Sequence, residues 1–109
     1  MRVTTLLTLC LVSACTSSGN KVHERQAYWE RIVRLEVPPG THRDAVLTWA
    51  VGRSLNLTYS PETHDLRGPL EYVPVNDWVC RGWSINIVLT LDSADSVASE
   101  AVKTYGNCL

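Results

Sequence analysis

Every second residue from Trp83 to Leu91 is large and apolar, and no other feature of the sequence constrains the fold as strongly. In an extended strand these side chains share one face, whereas Ser84, Asn86 and Thr90 lie on the other. This pattern is typical of a half-buried strand in an antiparallel sheet. The apolar face must be covered by another layer, so we expect helices elsewhere in the chain to pack on it.

A first helix is predicted over residues 23–36. Tyr28, Ile32 and Leu35 recur there at the spacing of one helix face. The Pro-Pro-Gly sequence that follows ends the helix, because proline cannot continue the hydrogen-bond ladder. Trp29 lies beside the apolar stripe, and we expect it in the core.

A second helix is predicted after these prolines. Thr41 is the expected N-cap, and Asp44 follows three residues later, where a capping box usually has Glu or Gln. Val46 and Trp49 belong to the expected buried stripe, and Gly52 is expected to close the helix.

The remaining segments are predicted to be strands joined by short connections. Residues 55–59 alternate in polarity, 60–69 contain the Ser, Pro and Gly residues of a loop, and 70–75 form a short strand. Residues 97–105 return as the final strand. The order predicts a single α+β domain over 23–109, with two N-terminal helices packed on an antiparallel sheet of three to four strands.

The N-terminal residues have the composition of an export signal. Arg2 precedes an apolar run that ends near Val12, and this run is too short to span a membrane. Residues 1–14 are therefore predicted to be a signal peptide. The sequence Val-Ser-Ala-Cys that ends at Cys15 resembles the lipobox of bacterial lipoproteins. That resemblance implies that Cys15 is lipidated and followed by a flexible tether over 15–22; the alternative is an ordinary signal peptide with a chance cysteine.

The domain also resembles a family of small envelope lipoproteins. The sequence Pro-Gly-Thr-His-Arg-Asp-Ala-Val at 39–46 opens a second helix, and an apolar meander follows, as in BamE/SmpA-type lipoproteins and related BLIP-like domains. The likeness covers about residues 24–105, although Ala-Val-Gly-Arg at 50–53 replaces the family's frequent Leu-Gly-x-Pro. It implies an ααβββ fold and a role in binding proteins without catalysis. Thr16, in place of the Asp that signals inner-membrane retention among lipoproteins, implies an outer-membrane anchor facing the periplasm.

Two functions follow from these resemblances. The first is a lipid-anchored module that binds an envelope protein in outer-membrane assembly or maintenance. The second is an inhibitor or immunity lipoprotein that blocks a periplasmic hydrolase or toxin. Trp78 is the candidate partner-binding residue, since it stands beside the turn expected at Asn76–Asp77 and aromatic residues dominate interface hot spots.

The two cysteines that remain in the mature chain, Cys80 and Cys108, are predicted to form a disulfide. An oxidising compartment favours this pairing over two free buried thiols, the alternative. With a turn centred on Ala94, opposed residues of the hairpin have a constant index sum, which places Cys80 opposite Cys108 and Trp83 opposite Tyr105. Strict alternation puts both cysteines on the polar face, unless a bulge at the neighbouring glycines changes the parity.

Charge and side-chain spacing exclude several other functions. Ten Lys and Arg balance eleven Asp and Glu without a basic run, which argues against nucleic-acid binding. The three histidines lack metal-ligand spacing, so no metal and no cofactor are predicted. His64 and Asp65 are adjacent on the predicted loop, and a hydrolase built on them is the third hypothesis. Because no G-x-S-x-G nucleophile motif is present, we expect a protein without enzymatic activity.

Overall fold

A computed structural model describes residues 18–75 and 78–109, and within them the chain forms two helices followed by a four-stranded antiparallel sheet. The helices are α1 (Ser18–Glu36) and α2 (Arg43–Gly52). The strands are β1 (Thr58–Ser60), β2 (Asp65–Pro74), β3 (Cys80–Leu91) and β4 (Val97–Cys108). They follow one another in the order β1-β2-β3-β4. The predicted α+β fold is confirmed.

The core lies between the helices and one face of the sheet. Strand β3 supplies Ile85, Ile87 and Leu89, all fully buried, and α1 supplies Trp29 and Val33. The alternation from which the strand was predicted therefore does mark the buried face. The prediction that Trp29 lies in the core is confirmed as well.

Helix α1 buries a different stripe from the one predicted. Leu35 is 69% exposed, and Tyr28 and Ile32 are only partly buried. The buried stripe of α1 consists of Val22, Trp29 and Val33, and Val37, the residue just after the helix, continues it. This stripe is the longer of the two because α1 begins at Ser18. Residues 18–22 are therefore helical, and the prediction of a flexible tether reaching residue 22 is wrong for them.

Helix α2 begins one residue later than predicted. His42 is its N-cap, with extended φ and ψ of −71° and 149°, and its Nδ1 accepts a hydrogen bond from the Asp44 N–H at 3.2 Å. The Thr41 hydroxyl instead donates to the Pro38 carbonyl at 2.6 Å. Thr41 is thus used in the turn before the helix, so its prediction as the cap is wrong. The helix ends at Gly52 as predicted, although Arg53 and not Gly52 is its C-cap residue.

The connection between α2 and the sheet also differs from the prediction. Strand β1 covers only Thr58–Ser60, and the segment predicted as a loop over 60–69 turns only between Ser60 and Asp65, where β2 begins. His64 has a left-handed φ of 52°, which allows this tight reversal. Leu55 and Leu57 pack on the core from outside the sheet.

The β3–β4 hairpin has the predicted pairing at its open end. Cys80 lies opposite Cys108, and the two form a disulfide. Farther along the hairpin the register is shifted by one residue, so that Trp83 pairs with Gly106 and not with Tyr105. The predicted pairing of Trp83 with Tyr105 is therefore wrong, and the shift brings Tyr105 to a different position on the sheet.

Candidate functional site

The helices cover the sheet face that carries Ile85 and Ile87. On the other face of β3, Ser84 and Asn86 are half-buried and Thr90 is exposed. We call this second surface the open face. The side chains on which the case for function depends are Arg67, Tyr72, Ser84, Asn86, Lys103 and Tyr105.

Two tyrosines flank a serine in one row across the open face. Tyr72 pairs with Ser84, and Ser84 pairs with Tyr105. Because neighbouring strands are about 4.8 Å apart, the tyrosine Cα atoms lie roughly 10 Å apart. Tyr72 is 51% exposed and Tyr105 is 55% exposed. The row therefore presents two aromatic rings on either side of a small polar side chain.

Gly82 explains how Tyr72 is held. A Cβ added at Gly82 would overlap the Tyr72 ring and hydroxyl, so the ring lies close against the backbone of β3. Gly82 is itself buried as a result. The phenol is thereby held against the sheet, and its conformational freedom is already restricted before any partner binds.

An ion pair borders the same surface. Arg67 Nη2 lies 2.6 Å from Asp65 Oδ2, and Arg67 Nε donates to Asp65 Oδ1 at 3.1 Å. Asp65 is 4% exposed, and the hydrogen bonds from Arg67 hold the pKa of its carboxyl below the usual value. Arg67 also lines a shallow cavity of about 200 Å³ together with Asn86 and Tyr105. The paired guanidinium is thus fixed beside the tyrosine row.

His64 and Asp65 do not form the acid–base pair considered from the sequence. His64 Nε2 lies 2.8 Å from Asp95 Oδ1, whereas Asp65 pairs with Arg67. Arg43 Nη2 also approaches Asp95 Oδ2, at 3.6 Å. The hydrogen bond from His64, with the charge of Arg43, lowers the pKa of Asp95. These contacts join the turn before β2 to the turn between β3 and β4, a structural role.

A larger cavity, about 440 Å³, lies between α1 and β4. Glu100 lines it, and within the described part of the chain its Oε2 is buried without a hydrogen-bond partner. Desolvation raises the pKa of Glu100, while the charge of Arg34 acts in the opposite direction. The carboxylate is therefore poorly compensated where it stands.

The predicted site residues lie in different places. Cys80 and Cys108 are bonded to each other at one end of the sheet, and Trp78, two residues before Cys80, is 86% exposed. Cys15 and the turn predicted at Asn76–Asp77 lie outside the described residues.

Residues 18–75 and 78–109 contain no group of three or more His, Cys, Asp or Glu side chains that could hold a metal ion. No helix in those residues is both long and apolar enough to cross a membrane. No protein-family model matches the chain, and neither a curated protein nor a solved structure matches it.

Sequence reasoning missed the tyrosine row. The signal was present in part, because the polar side of β3 was predicted from Ser84 and Asn86. Placing Tyr105 beside Ser84 also requires the one-residue shift between β3 and β4, which the sequence pattern does not show.

Proposed function

We propose that the protein is a lipid-anchored envelope lipoprotein that binds another protein through the open face and catalyses no reaction. The observation that carries this proposal is the row formed by Tyr72, Ser84 and Tyr105, with both tyrosines half-exposed on a helix-backed sheet. Tyrosine is enriched at protein interfaces because it offers a large contact area and a polar hydroxyl. Two such residues with Cα atoms about 10 Å apart suit the centre of a small interface.

The polar residues of the open face indicate the chemistry of the partner. Asn86 donates to the Ser84 hydroxyl at 2.9 Å, and exposed Lys103 pairs with Asn86 across β3 and β4. Arg67 adds a second cation at the border of the row. Because Asp65 already compensates the charge of Arg67, Lys103 supplies the exposed positive charge of the open face, and the proposed partner presents a carbonyl or carboxylate oxygen to it.

The proposed anchor is the lipid on Cys15, and the partner is an envelope protein within reach of the outer membrane. Helix α1 begins at Ser18, only three residues after Cys15. A chain of that length spans at most about 11 Å. A lipid on Cys15 would therefore keep the domain close to the bilayer and limit its partners to those at the membrane.

The anchor is tested by metabolic labelling with a fatty-acid probe. The chain should incorporate the probe, and Cys15→Ser should abolish the label because the thiol is the proposed acylation site. Cys80→Ser should keep the label. Undiminished labelling of Cys15→Ser would refute the lipid anchor.

Partner binding is tested by quantitative co-purification of the lipidated chain from membranes. Tyr72→Ala with Tyr105→Ala should lose the specific co-purifying protein, because both rings leave the open face. Val51→Ser is the matched control, since Val51 is an exposed apolar residue on α2. Equal recovery with all three chains, at unchanged thermal stability, would contradict the proposed binding surface.

The second candidate, an inhibitor or immunity lipoprotein, uses the same surface on a different kind of partner. An assembly or maintenance role requires that the protein lost from the double tyrosine variant belong to the outer-membrane machinery. An inhibitor role requires a hydrolase or toxin whose activity falls when the purified domain is added.

A further inference from the structure

We infer that Trp78, Val79 and Leu109 contact the lipid surface when the protein is anchored. We call these three residues the apolar end. The inference rests on the proposed lipid anchor. It assigns Trp78 to a contact with the lipid headgroup region, whereas the sequence suggested a contact with a partner protein.

The apolar end is strongly exposed and firmly attached. Trp78 is 86% exposed, Leu109 is 92% exposed and Val79 is 38% exposed. The Leu109 N–H donates to the Val79 carbonyl at 2.8 Å, which ties Leu109 to the start of the β3–β4 hairpin. The disulfide between Cys80 and Cys108 joins the same two segments covalently. The exposed side chains thus project from a cross-linked base.

Helix α1 runs antiparallel to β4, which defines where the helix begins relative to the apolar end. After the helix, the Gly40 N–H donates to the carbonyl of Val97, where β4 begins. Nearer the start of the helix, Gln26 Nε2 donates to the Val102 carbonyl at 3.1 Å. The direction from Val97 to the end of β4 is therefore the direction from the C-terminus of α1 to its N-terminus.

Beyond the Gln26–Val102 contact, both elements continue in the same direction. Eight helical residues place Ser18 about 12 Å beyond Gln26. Six strand residues place Cys108 about 20 Å beyond Val102. Ser18 and the disulfide are therefore at the same end of the domain.

The position of the proposed anchor follows from covalent reach alone. Cys15 lies within about 11 Å of Ser18 whatever the conformation between them. A bilayer that holds the lipid on Cys15 consequently lies at the end of the domain where Trp78 projects. The opposite end, with the turn between β3 and β4, points away from it.

The chemistry of the apolar end suits a lipid interface. Tryptophan is enriched at the boundary between hydrocarbon and water, where its ring and its N–H are both accommodated. Arg81, the next residue after Cys80, is exposed and available to phosphate groups. A hot-spot residue of a protein interface, in contrast, lies near the centre of the interface and is surrounded by contacts that exclude water. Trp78 does not have such surroundings, because it projects at the extreme end of the sheet.

The test measures quenching of Trp78 fluorescence by brominated acyl chains. The lipidated full-length chain is reconstituted in vesicles of phosphatidylethanolamine and phosphatidylglycerol with brominated lipid. The emission of Trp78 is obtained as the difference between the wild-type chain and Trp78→Phe. We expect this difference emission to shift to the blue on reconstitution and to lose most of its intensity to the brominated lipid.

The control places a tryptophan at the far end of the sheet. In Trp78→Phe with Ser93→Trp, the new ring is in the exposed turn between β3 and β4 and should escape quenching. Equal quenching at positions 78 and 93, or none at 78 in a chain that floats with the vesicles, would overturn the lipid contact and leave the anchor standing. A chain that is unlabelled by the fatty-acid probe and does not float would overturn both proposals. Protection of Trp78 only after addition of a co-purified protein would assign the residue to a protein contact and overturn the inference.

Discussion

Cys80 and Cys108 lie directly opposite each other and are joined by a disulfide. In most of the hairpin between these cysteines and the turn, however, the register of β3 and β4 is shifted by one residue relative to the cysteine pair. One bulge adds Arg81 to β3 next to the disulfide. A second bulge, near the turn, adds Ala98 to β4. Because the two extra residues are on opposite strands, the shift made by one is cancelled by the other.

The two bulges together also change the face on which the disulfide lies. A Cβ placed on Gly106 would meet both the Cys108 Sγ, at 2.9 Å, and the ring of Trp83, at 3.0 Å. Cys108 is therefore on the same side of the sheet as Trp83, the helix-covered side. The change of face that the neighbouring glycines suggested has therefore occurred, and the cysteines do not lie on the polar face of the hairpin.

Removing the disulfide should destabilise the domain. The sequence separation of 28 corresponds to a closed loop of 29 residues, for which the chain-entropy model gives about 3.6 kcal/mol. We expect Cys80→Ser with Cys108→Ser to lower the free energy of unfolding in urea by roughly that amount. Reductant should lower the wild-type stability to the same level and leave the double variant unchanged. Alkylation of both cysteines without prior reduction would contradict the bond.

Trp29→Ala should cost more stability than Trp49→Ala. Trp29 is 8% exposed and its N–H donates to Glu71 Oε1 at 2.8 Å, so we expect a loss of about 3–5 kcal/mol. Trp49 is only partly buried and donates to Glu36 at the surface, so about 1–3 kcal/mol is expected. Urea denaturation of the two variants makes the comparison. Equal losses would mean that the two rings are buried to the same extent in solution.

Asp65 should make the domain sensitive to acid. Its folded-state pKa is lowered by Arg67, so the ion pair contributes stability above the ordinary value of about 3.8 and loses it as the pH falls through the folded pKa. We expect Asp65→Asn to lower stability at pH 7 by about 1–2 kcal/mol. The variant should also show a shallower fall in the urea midpoint from about pH 5 to about pH 2. Asp44→Asn, at an exposed carboxylate, should keep the wild-type slope, and an unchanged slope in Asp65→Asn would refute this role.

Glu100→Gln should raise stability at neutral pH. Burial raises the folded-state pKa of Glu100, so ionisation weakens the fold as the pH rises through the ordinary value of about 4.5 and then the folded value. Replacing the unpartnered carboxylate with a neutral amide should add up to about 1 kcal/mol at pH 7 and little at low pH. Exposed Glu30, in the same cavity, is the control, and Glu30→Gln should have little effect. A Glu100→Gln chain less stable than wild type at pH 7 would show that the carboxylate has a partner.

Elements in which an apolar pattern repeats over several helical turns or strand positions were predictable from the sequence. The buried side of β3 and the end of α2 at Gly52 follow from such local patterns. The stripe of α1 was misassigned because two adjacent apolar stripes compete, and the longer one is recognised only when Val22 is known to be helical.

Contacts that depend on how distant turns meet were not predictable. His64 and Asp95 are 31 residues apart, and both have left-handed backbone angles that no sequence pattern near them requires. The row from Tyr72 to Tyr105 depends likewise on the bulge at Ala98 and on a register shift in β2 between Pro69 and Glu71, which a constant index sum cannot describe. The candidate site was therefore less predictable than the fold, since it depends on register.

Site-specific photo-crosslinking in cells tests the proposed protein-binding surface most directly. A photoreactive phenylalanine analogue at position 105 replaces one half-exposed aromatic ring with another of similar shape on the open face. The same analogue at position 93, in the exposed turn between β3 and β4, is the control. We expect a discrete crosslinked product from position 105 that is lost when Tyr72→Ala is added, and no such product from position 93. Absence of a product at position 105, or the same product from both positions, would contradict binding through the open face.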